Sequence, residues 1–225
     1  MAWQLNEDLS YCHLDGRLVF LDIGMDRYFQ ISKALERRFL DFVGGVHTVG
    51  TDLNALIGHK ILSQDTIIPD RTPSAALPLP NVSVLETTGI EVRPSLTTIL
   101  DVFVSVAAMR HRLRRQRLKY VLEALVRYRR RCVTSTSREQ TNTESQVVEA
   151  ATAFNRIRTY VPITSRCLID SLSLVEFLAK HNLHASLVIA VACDPFSAHA
   201  WAQHGDTVLN DTLGNARGYM PIRVI

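Results

Sequence analysis

The stretch from Ser165 to Asp211 constrains the fold most, because along it the hydrophobic period changes from that of a helix to that of strands. In its first part, apolar residues recur every three to four positions and predict a helix that begins at Cys167. Thr164 or Ser165 can cap this helix, which would place Cys167 in the first turn. A helix N-terminus carries partial positive charge and stabilises a thiolate, so Cys167 is a candidate nucleophile.

Three strands are predicted after this helix. The apolar run from His184 to Ala192 is typical of a buried strand, and the residues from Ser197 to Gln203 alternate in character. A three-residue loop centred on Gly205 would then lead into a third strand that ends at Asp211. In that hairpin register His199 lies opposite Asp211, on the same side of the ladder, where the two side chains can hydrogen-bond.

Cys167, His199 and Asp211 together have the composition of a nucleophilic triad. His199 can take the thiol proton, and Asp211 can hold the imidazole in one tautomer. A single cysteine at a helix start, or a single histidine on a strand, is more often structural than catalytic. The occurrence of all three residues in this pattern favours a catalytic role. The order of Cys, His and Asp on a helix and two strands resembles that of the transglutaminase-like, papain-related cysteine hydrolases.

A narrower resemblance is carried by the segments SRCLIDSL and HAWAQHGDTVLND, together with the short C-terminal tail. They are similar to the leader peptidase of lasso-peptide biosynthesis, known as the B protein, over roughly Glu144 to Ile225. The resemblance implies that Cys167 is the nucleophile, His199 the base and Asp211 the orienting group. It also implies two partners, a ribosomally made precursor peptide and an ATP-dependent, asparagine-synthetase-like cyclase that closes a macrolactam on the freed core.

The composition is that of an ordinary globular protein, with 47% hydrophobic and 21% charged residues among 225. The four cysteines form no CxxC pair, the N-terminus is polar, and no apolar run approaches the roughly 20 residues that span a bilayer. These features favour a cytoplasmic protein with reduced thiols. The histidines lack metal-ligand spacing and no glycine-rich phosphate loop occurs, so we expect neither a metal nor another cofactor.

The first 70 residues predict a short β-meander followed by two helices. Strands are expected between Leu9 and Ser32, and an apolar stripe predicts a helix from Lys33 to Val43. A second helix is expected from about Leu53 to Leu62, capped by Thr51 or Asp52. This order of elements is winged-helix-like.

The pattern LVFLDIGMDRYFQIS, followed by a pair of helices, resembles the PqqD-like element that recognises precursor peptides. The resemblance implies that the leader peptide is captured as an added strand, with main-chain hydrogen bonds giving affinity and side-chain pockets giving register. The groove residues that it suggests are Tyr28, Phe29, Gln30, Ile31, Leu53, Leu56, Ile57 and Lys60. A small structural domain without a ligand is the alternative.

Five of the eight prolines lie between Gln64 and Ser95, so we expect a Pro-rich linker over residues 71–95. The chain from Leu96 to Arg131 predicts two helices. The part from Arg110 to Arg131 holds ten Lys and Arg against one Glu. Such a surface is most often solvated, although it could contact an acidic peptide, a partner enzyme or nucleic acid. Few aromatic residues lie among the arginines, so we do not expect a nucleic-acid partner.

The predicted fold class is therefore α+β, with a winged-helix-like, PqqD-like domain over residues 1–70. A transglutaminase-like or papain-like cysteine protease domain is expected over residues 96–225. The main functional hypothesis is a leader peptidase that acts on a lasso precursor. Two alternatives stay open: an acyl transferase that uses an amine in place of water, and a winged-helix regulator that binds nucleic acid and whose Cys, His and Asp are coincidental.

Overall fold

The computed structural model describes residues 3–45, 50–63, 77–87, 93–133 and 143–225. These residues form a mixed α+β fold whose strands belong to three sheets. The helices are α1 (Lys33–Val43), α2 (Gly50–Gly58), α3 (Leu96–Arg115), α4 (Leu118–Val133), α5 (Thr143–Arg158), α6 (Cys167–Lys180) and α7 (Leu213–Arg217). The strands are β1 (Gln4–Leu5), β2 (Leu9–Leu14), β3 (Arg17–Asp22), β4 (Arg27–Gln30), β5 (Leu62–Ser63), β6 (Val82–Ser83), β7 (Ser186–Cys193), β8 (Phe196–His204), β9 (Thr207–Val208) and β10 (Met220–Val224).

The strands β2, β3 and β4 form the predicted antiparallel meander, called here the N-terminal sheet. Its central strand β3 is buried on both faces. Leu18 and Phe20 pack with Phe39 of α1 in a small N-terminal core, whereas Val19 and Leu21 belong to the main core. Burial on both faces explains why β3 is a continuous apolar run rather than an alternating one.

Helix α1 has the predicted bounds, whereas α2 begins earlier than predicted. The side chain of Ser32 caps α1 by accepting the N–H of Leu35 at 3.4 Å. Helix α2 begins at Gly50, so the predicted caps Thr51 and Asp52 lie within the helix and that prediction is wrong.

The C-terminal end of α2 also differs from the prediction, because the helix ends at Gly58 and does not reach Leu62. Lys60 adopts a left-handed φ of 57°, and the N–H of Ile61 donates to the carbonyl of Leu56 at 2.9 Å. This hydrogen-bond pattern ends a helix and redirects the chain. The residues that follow form β5, which pairs with β1.

The larger sheet has the strand order β10–β7–β8–β9–β6, with β6 parallel to β9 and the other neighbours antiparallel. Helix α6 packs on one face, where Ile189, Ala202 and Leu172 share the main core. Val188 and Trp201 are buried on the opposite face. Because β7 and β8 are covered on both sides, α6 is held across the sheet and its first residues lie beside β8.

Residues 77–87 fall within the predicted linker, and they add β6 to the larger sheet. The N–H of Asn81 donates to the carbonyl of Asp206 at 2.8 Å, and the N–H of Val84 donates to that of Val208 at 2.9 Å. Residues 71–76 and 88–92 of the same region lie outside the described residues. The division of the chain at residues 70 and 95 stays a prediction.

The region from Leu96 to Arg131 forms two helices, as predicted, and they are separated at Gln116 and Arg117. Part of its basic charge is paired within the protein, since Arg112 contacts the carboxylate of Glu176 at 2.5 Å. Across the ranges that the structure describes, no helix combines the length and the apolar character needed to span a membrane.

The N-terminal sheet is joined to the helices by the turn between β3 and β4. The carboxylate of Asp26 accepts the N–H of Leu118, the first residue of α4, at 2.9 Å and so caps that helix. Lys119 forms ion pairs with Glu7 at 2.9 Å and with Asp8 at 2.7 Å. These contacts hold the N-terminal sheet against α4.

Candidate active site

Helix α6 begins at Cys167, as predicted, but its N-cap residue is Arg166 and not Thr164 or Ser165. The hydroxyl of Ser165 donates to the carboxylate of Asp170 at 2.5 Å instead of accepting a backbone N–H of the helix. Arg166 makes no side-chain capping hydrogen bond. Cys167 is therefore the first residue of the helix, where the partial positive charge of the helix end favours a thiolate.

A buried ion pair holds the segment that leads into α6. Nε of Arg158 donates to the carboxylate of Asp170 at 2.7 Å, and these side chains are 11% and 12% exposed. The same guanidinium donates to the carbonyls of Val161 at 3.4 Å and Ile163 at 3.0 Å. Helix α5 thereby anchors both the first turn of α6 and the loop in front of Cys167.

The hairpin of β8 and β9 has a two-residue loop that begins with Gly205, not the predicted three-residue loop. It pairs His204 with Thr207, so the predicted register is wrong by one residue. Gly205 has a φ of +56°, in the left-handed region that such a tight turn uses. Strand β9 also ends at Val208 and does not continue to Asp211.

His199 and Asp211 nevertheless contact each other, because the chain leaves the ladder after Leu209. The N–H of Leu209 still donates to the carbonyl of Ala202 at 2.9 Å. The N–H of Ala202, however, donates to the side-chain oxygen of Asn210 at 2.7 Å, in place of a backbone carbonyl. Asn210 thus ends the ladder, and the backbone turn that follows brings the Asp211 carboxylate to Nε2 of His199.

Three polar side chains that the sequence analysis missed connect α5 and α6 to β8 and to the segment after β9. Ser171 donates to the carbonyl of Ala200 at 3.0 Å and accepts from Asn210 at 2.9 Å. Asn155 donates to the carbonyl of Leu209 at 2.7 Å. These bonds satisfy backbone groups at the end of the ladder and fix α6 against β8. For Ser171 the sequence signal is a polar residue on an otherwise apolar helix face, in LIDSLSLV.

Cys167, His199 and Asp211 lie next to one another in that order. Nε2 of His199 contacts Oδ2 of Asp211, and the Cys167 thiol lies close enough to His199 for the imidazole to lower its pKa. Because Asp211 occupies Nε2, Nδ1 is the ring nitrogen available to the thiol. The nearby backbone N–H groups of Leu168 and Ala200 also lower the pKa of the thiol. The structure thus brings together the three residues selected from the sequence.

The electrostatics of these groups favour a thiolate beside an imidazolium. The hydrogen bond with His199 lowers the pKa of Cys167, against the opposing effect of burial. Hydrogen bonds to Asp211 and to Cys167 raise the pKa of His199 to about 10. Burial alone would raise the pKa of Asp211, but hydrogen bonds from His199, from Asn215 and from the N–H of Thr212 bring it below its ordinary value.

Aromatic rings enclose the imidazole of His199. The centroid of Tyr219 lies 5.0 Å from that of His199, and the centroid of Trp201 lies 6.1 Å away. The side chains of His199 and Asp211 are only 16% and 14% exposed. Limited contact with water strengthens the interaction between these two groups relative to an exposed pair.

Three of the predicted groove residues, Tyr28, Phe29 and Gln30, lie on β4, the edge strand of the N-terminal sheet. The ring of Tyr28 contacts that of Phe196, at the start of β8, with 5.6 Å between centroids. Burial raises the pKa of Tyr28 to about 12, and the negative charge of the nearby Cys167 adds to the effect. The edge strand therefore lies beside the line of Cys167, His199 and Asp211.

The other predicted groove residues are distributed around the N-terminal core. Ile31, Leu53 and Ile57 are partly buried against it, and Lys60 is exposed. Leu56 is fully buried, so in this conformation it offers no surface to a peptide and is a core residue. We do not retain Leu56 in the groove.

Within the described part of the chain, no three His, Cys, Asp or Glu side chains are arranged to hold a metal ion. All four cysteines are free thiols. Cys193 lies at the end of β7, where it packs against the main core.

Two comparisons with known proteins bear on the family of this chain. Residues 106–224, just over half of the chain, match the model of the transglutaminase-like superfamily. Over 47 residues the chain is 43% identical to the Microcin J25-processing protein McjB of Escherichia coli. These residues are 21% of this chain and 23% of McjB. The matched stretch thus spans about a quarter of that relative's length. No solved structure gives a significant match. The chain belongs to the transglutaminase-like superfamily.

Proposed function

We propose that this protein is a cysteine peptidase that removes the leader from a ribosomally synthesised lasso precursor peptide. The thiolate of Cys167 attacks the carbonyl carbon of the scissile bond, His199 protonates the departing amine, and water then hydrolyses the thioester. Asp211 holds the imidazole in the orientation that this transfer needs. The observation that carries the proposal is the arrangement of thiol, imidazole and carboxylate, in which the His199 ring contacts Asp211 and lies beside Cys167.

The environment of Cys167 suits the attack on a peptide carbonyl. Its pKa is lowered by the hydrogen bond with His199, which increases the fraction of thiolate near neutral pH. As the first residue of α6, Cys167 has a backbone N–H without a partner inside the helix. That N–H is a candidate donor to the oxyanion that forms when the thiolate adds to the carbonyl.

Two similarities support the proposed substrate class, and both are more specific than membership of the superfamily. The segments SRCLIDSL and HAWAQHGDTVLND resemble the lasso leader peptidases, and 47 residues are 43% identical to a protein named for processing microcin J25. In this proposal the freed core peptide passes to a separate ATP-dependent cyclase.

The N-terminal sheet has the features of a leader-binding element. Strand β4 is an edge strand, and in the described ranges its one ladder is with β3, so a peptide could add along its other side. The contact between Tyr28 and Phe196 places β4 next to the proposed nucleophile. A leader bound along β4 would therefore need few residues, at about 3.3 Å each, to carry the scissile bond to Cys167.

Peptide cleavage followed by mass spectrometry tests the proposal. The wild type, Cys167→Ala and the control Cys193→Ala would each be mixed with the lasso precursor encoded beside the gene, with and without the neighbouring cyclase. We expect one cleavage site with the wild type and with Cys193→Ala, and none with Cys167→Ala. Binding of a fluorescently labelled leader, measured by anisotropy, should be the same for all three proteins, because β4 is unchanged.

Two results would count against the proposal. Equal cleavage by Cys167→Ala would show that this thiol is not the nucleophile. If the wild type binds the leader but does not cleave the precursor, even with the cyclase present, the proposed leader recognition would stand and the proposed peptidase activity would be wrong. Membership of the transglutaminase-like superfamily also favours one alternative, transfer of the acyl group from the thioester to an amine. Adding a primary amine such as putrescine would distinguish the two, because acyl transfer yields an amide whose mass differs from that of the hydrolysed product.

A further inference from the structure

Helix α7 places the side chain of Asn215 against the carboxylate of Asp211. Nδ2 of Asn215 lies 3.1 Å from both Oδ1 and Oδ2 of Asp211, and 3.2 Å from Nε2 of His199. Because Nε2 donates its proton to Asp211, it cannot also accept one, so the amide of Asn215 donates to the carboxylate. The N–H of Thr212 donates to Oδ1 at 2.8 Å. The carboxylate thus accepts from Asn215, Thr212 and His199.

These donors restrict how the carboxylate can turn. A carboxyl group rotates readily about the bond to Cβ, and each orientation offers Nε2 of His199 a different oxygen and angle. The N–H of Thr212 holds Oδ1 alone, whereas the amide of Asn215 bridges both oxygens. Charge-assisted hydrogen bonds of this kind are stronger than neutral ones and keep the acceptor in one orientation.

The position of α7 does not depend on Asn215. Arg217 donates to the carbonyl of Pro80 at 2.9 Å and to the side chain of Asn81 at 3.3 Å. Ala216 is buried in the core beside Trp201. Asn215 itself is exposed, so its replacement removes a donor without opening a cavity.

We infer that Asn215 is a positioning residue that holds the Asp211 carboxylate against His199, and through His199 stabilises the thiolate of Cys167. This inference rests on the roles proposed above for Cys167, His199 and Asp211. When Asn215 is absent, the carboxylate spends part of its time turned away from Nε2, so the imidazolium is less stable and the thiolate loses part of its partner charge.

The test is the pH dependence of Cys167 alkylation by iodoacetamide, which needs no peptide substrate. Trypsin cleaves after Arg166 and after Lys180, and the resulting peptide contains Cys167 and no other cysteine. Asn215→Leu keeps the size of the side chain and removes its donor. We expect it to move the midpoint upward by about half to one pH unit, which lowers alkylation at a pH well below the wild-type midpoint by about three- to tenfold. The matched control is Gly214→Ala, a change on the same helix at a position where an added Cβ meets no atom within 4 Å, and we expect it to leave the midpoint unchanged.

Three outcomes separate the possibilities. A midpoint that rises in Asn215→Leu alone, with an unchanged melting temperature, supports the inference. A low wild-type midpoint that is unchanged in Asn215→Leu, or that moves equally in Gly214→Ala, overturns it and leaves the proposed peptidase intact. A wild-type midpoint at the ordinary value of a free thiol would instead overturn the nucleophilic role of Cys167, and the role of Asn215 with it.

Discussion

The ion pair of Arg158 and Asp170 allows a prediction of protein stability. Because both side chains are buried, the loss of one partner should lower the free energy of unfolding substantially. The two side chains are 11% and 12% exposed, and Arg158→Met would leave the Asp170 carboxylate buried with Ser165 as its remaining side-chain partner. Removing one member of a buried ion pair costs about 3–5 kcal/mol. For a protein of this size each kcal/mol lowers the melting temperature by about 2–4 °C, so we expect a decrease of about 6–20 °C.

The matched control is the exposed pair of Lys180 and Asp101, whose side chains are 51% and 27% exposed. Exposed pairs contribute about 0–1 kcal/mol, so Lys180→Met should lower the melting temperature by no more than about 4 °C. Thermal unfolding followed by circular dichroism measures both changes. Because the cost of Arg158→Met comes mainly from an uncompensated charge, adding Asp170→Leu should restore at least part of the loss. Equal decreases for Arg158→Met and Lys180→Met would refute the reasoning.

Further predictions concern the thiolate and the tight turn of the hairpin. The His199 partner lowers the pKa of Cys167 while burial opposes it, so His199→Ala should shift iodoacetamide alkylation of Cys167 to higher pH; an unchanged profile would contradict the pairing. Since the pKa of His199 is raised to about 10, the imidazolium persists through neutral pH, and peptidase activity should decline only as the pH rises through about 10. Gly205 has a φ of +56°, and a Cβ added there would meet no atom within 4 Å, so Gly205→Ala should cost about 1 kcal/mol by backbone strain alone. In a melting experiment Gly214→Ala, where an added Cβ also meets open space but φ is ordinary, should cost less; equal decreases would show that φ is not the cause.

Local patterns predicted the elements that depend on neighbouring residues. The apolar stripe of α1 gave its bounds correctly, and α6 begins at Cys167 as its spacing indicated. Helix α2 was predicted too long, because its end is set by Lys60 in a left-handed conformation, and a lysine carries no sequence signal for that conformation. The N-cap of α6 was misassigned because Ser165 has a competing partner, Asp170, which is buried only when α5 packs beside it.

The candidate site also combines features that local sequence patterns predicted with features that only packing determines. Cys167, His199 and Asp211 were selected by motif and order, but the register that was expected to join His199 to Asp211 is wrong by one residue. Their contact depends on Asn210, which ends the ladder by accepting the N–H of Ala202. A hairpin register inferred from loop length assumes hydrogen bonds between backbone groups. It could not predict that the side-chain oxygen of Asn210 takes the place of a backbone carbonyl.

By itself, the sequence determined most of the longer helices and strands, which of their faces are apolar, and which residue types are available for nucleophilic chemistry. These properties depend on hydrophobic period and on residues a few positions apart. Only the tertiary structure decided that Asn215 and Arg158 belong to the surroundings of Cys167, and that β4 lies beside it. The physical reason is that a polar side chain takes the partner that packing brings within about 3 Å, and packing joins segments far apart in the chain.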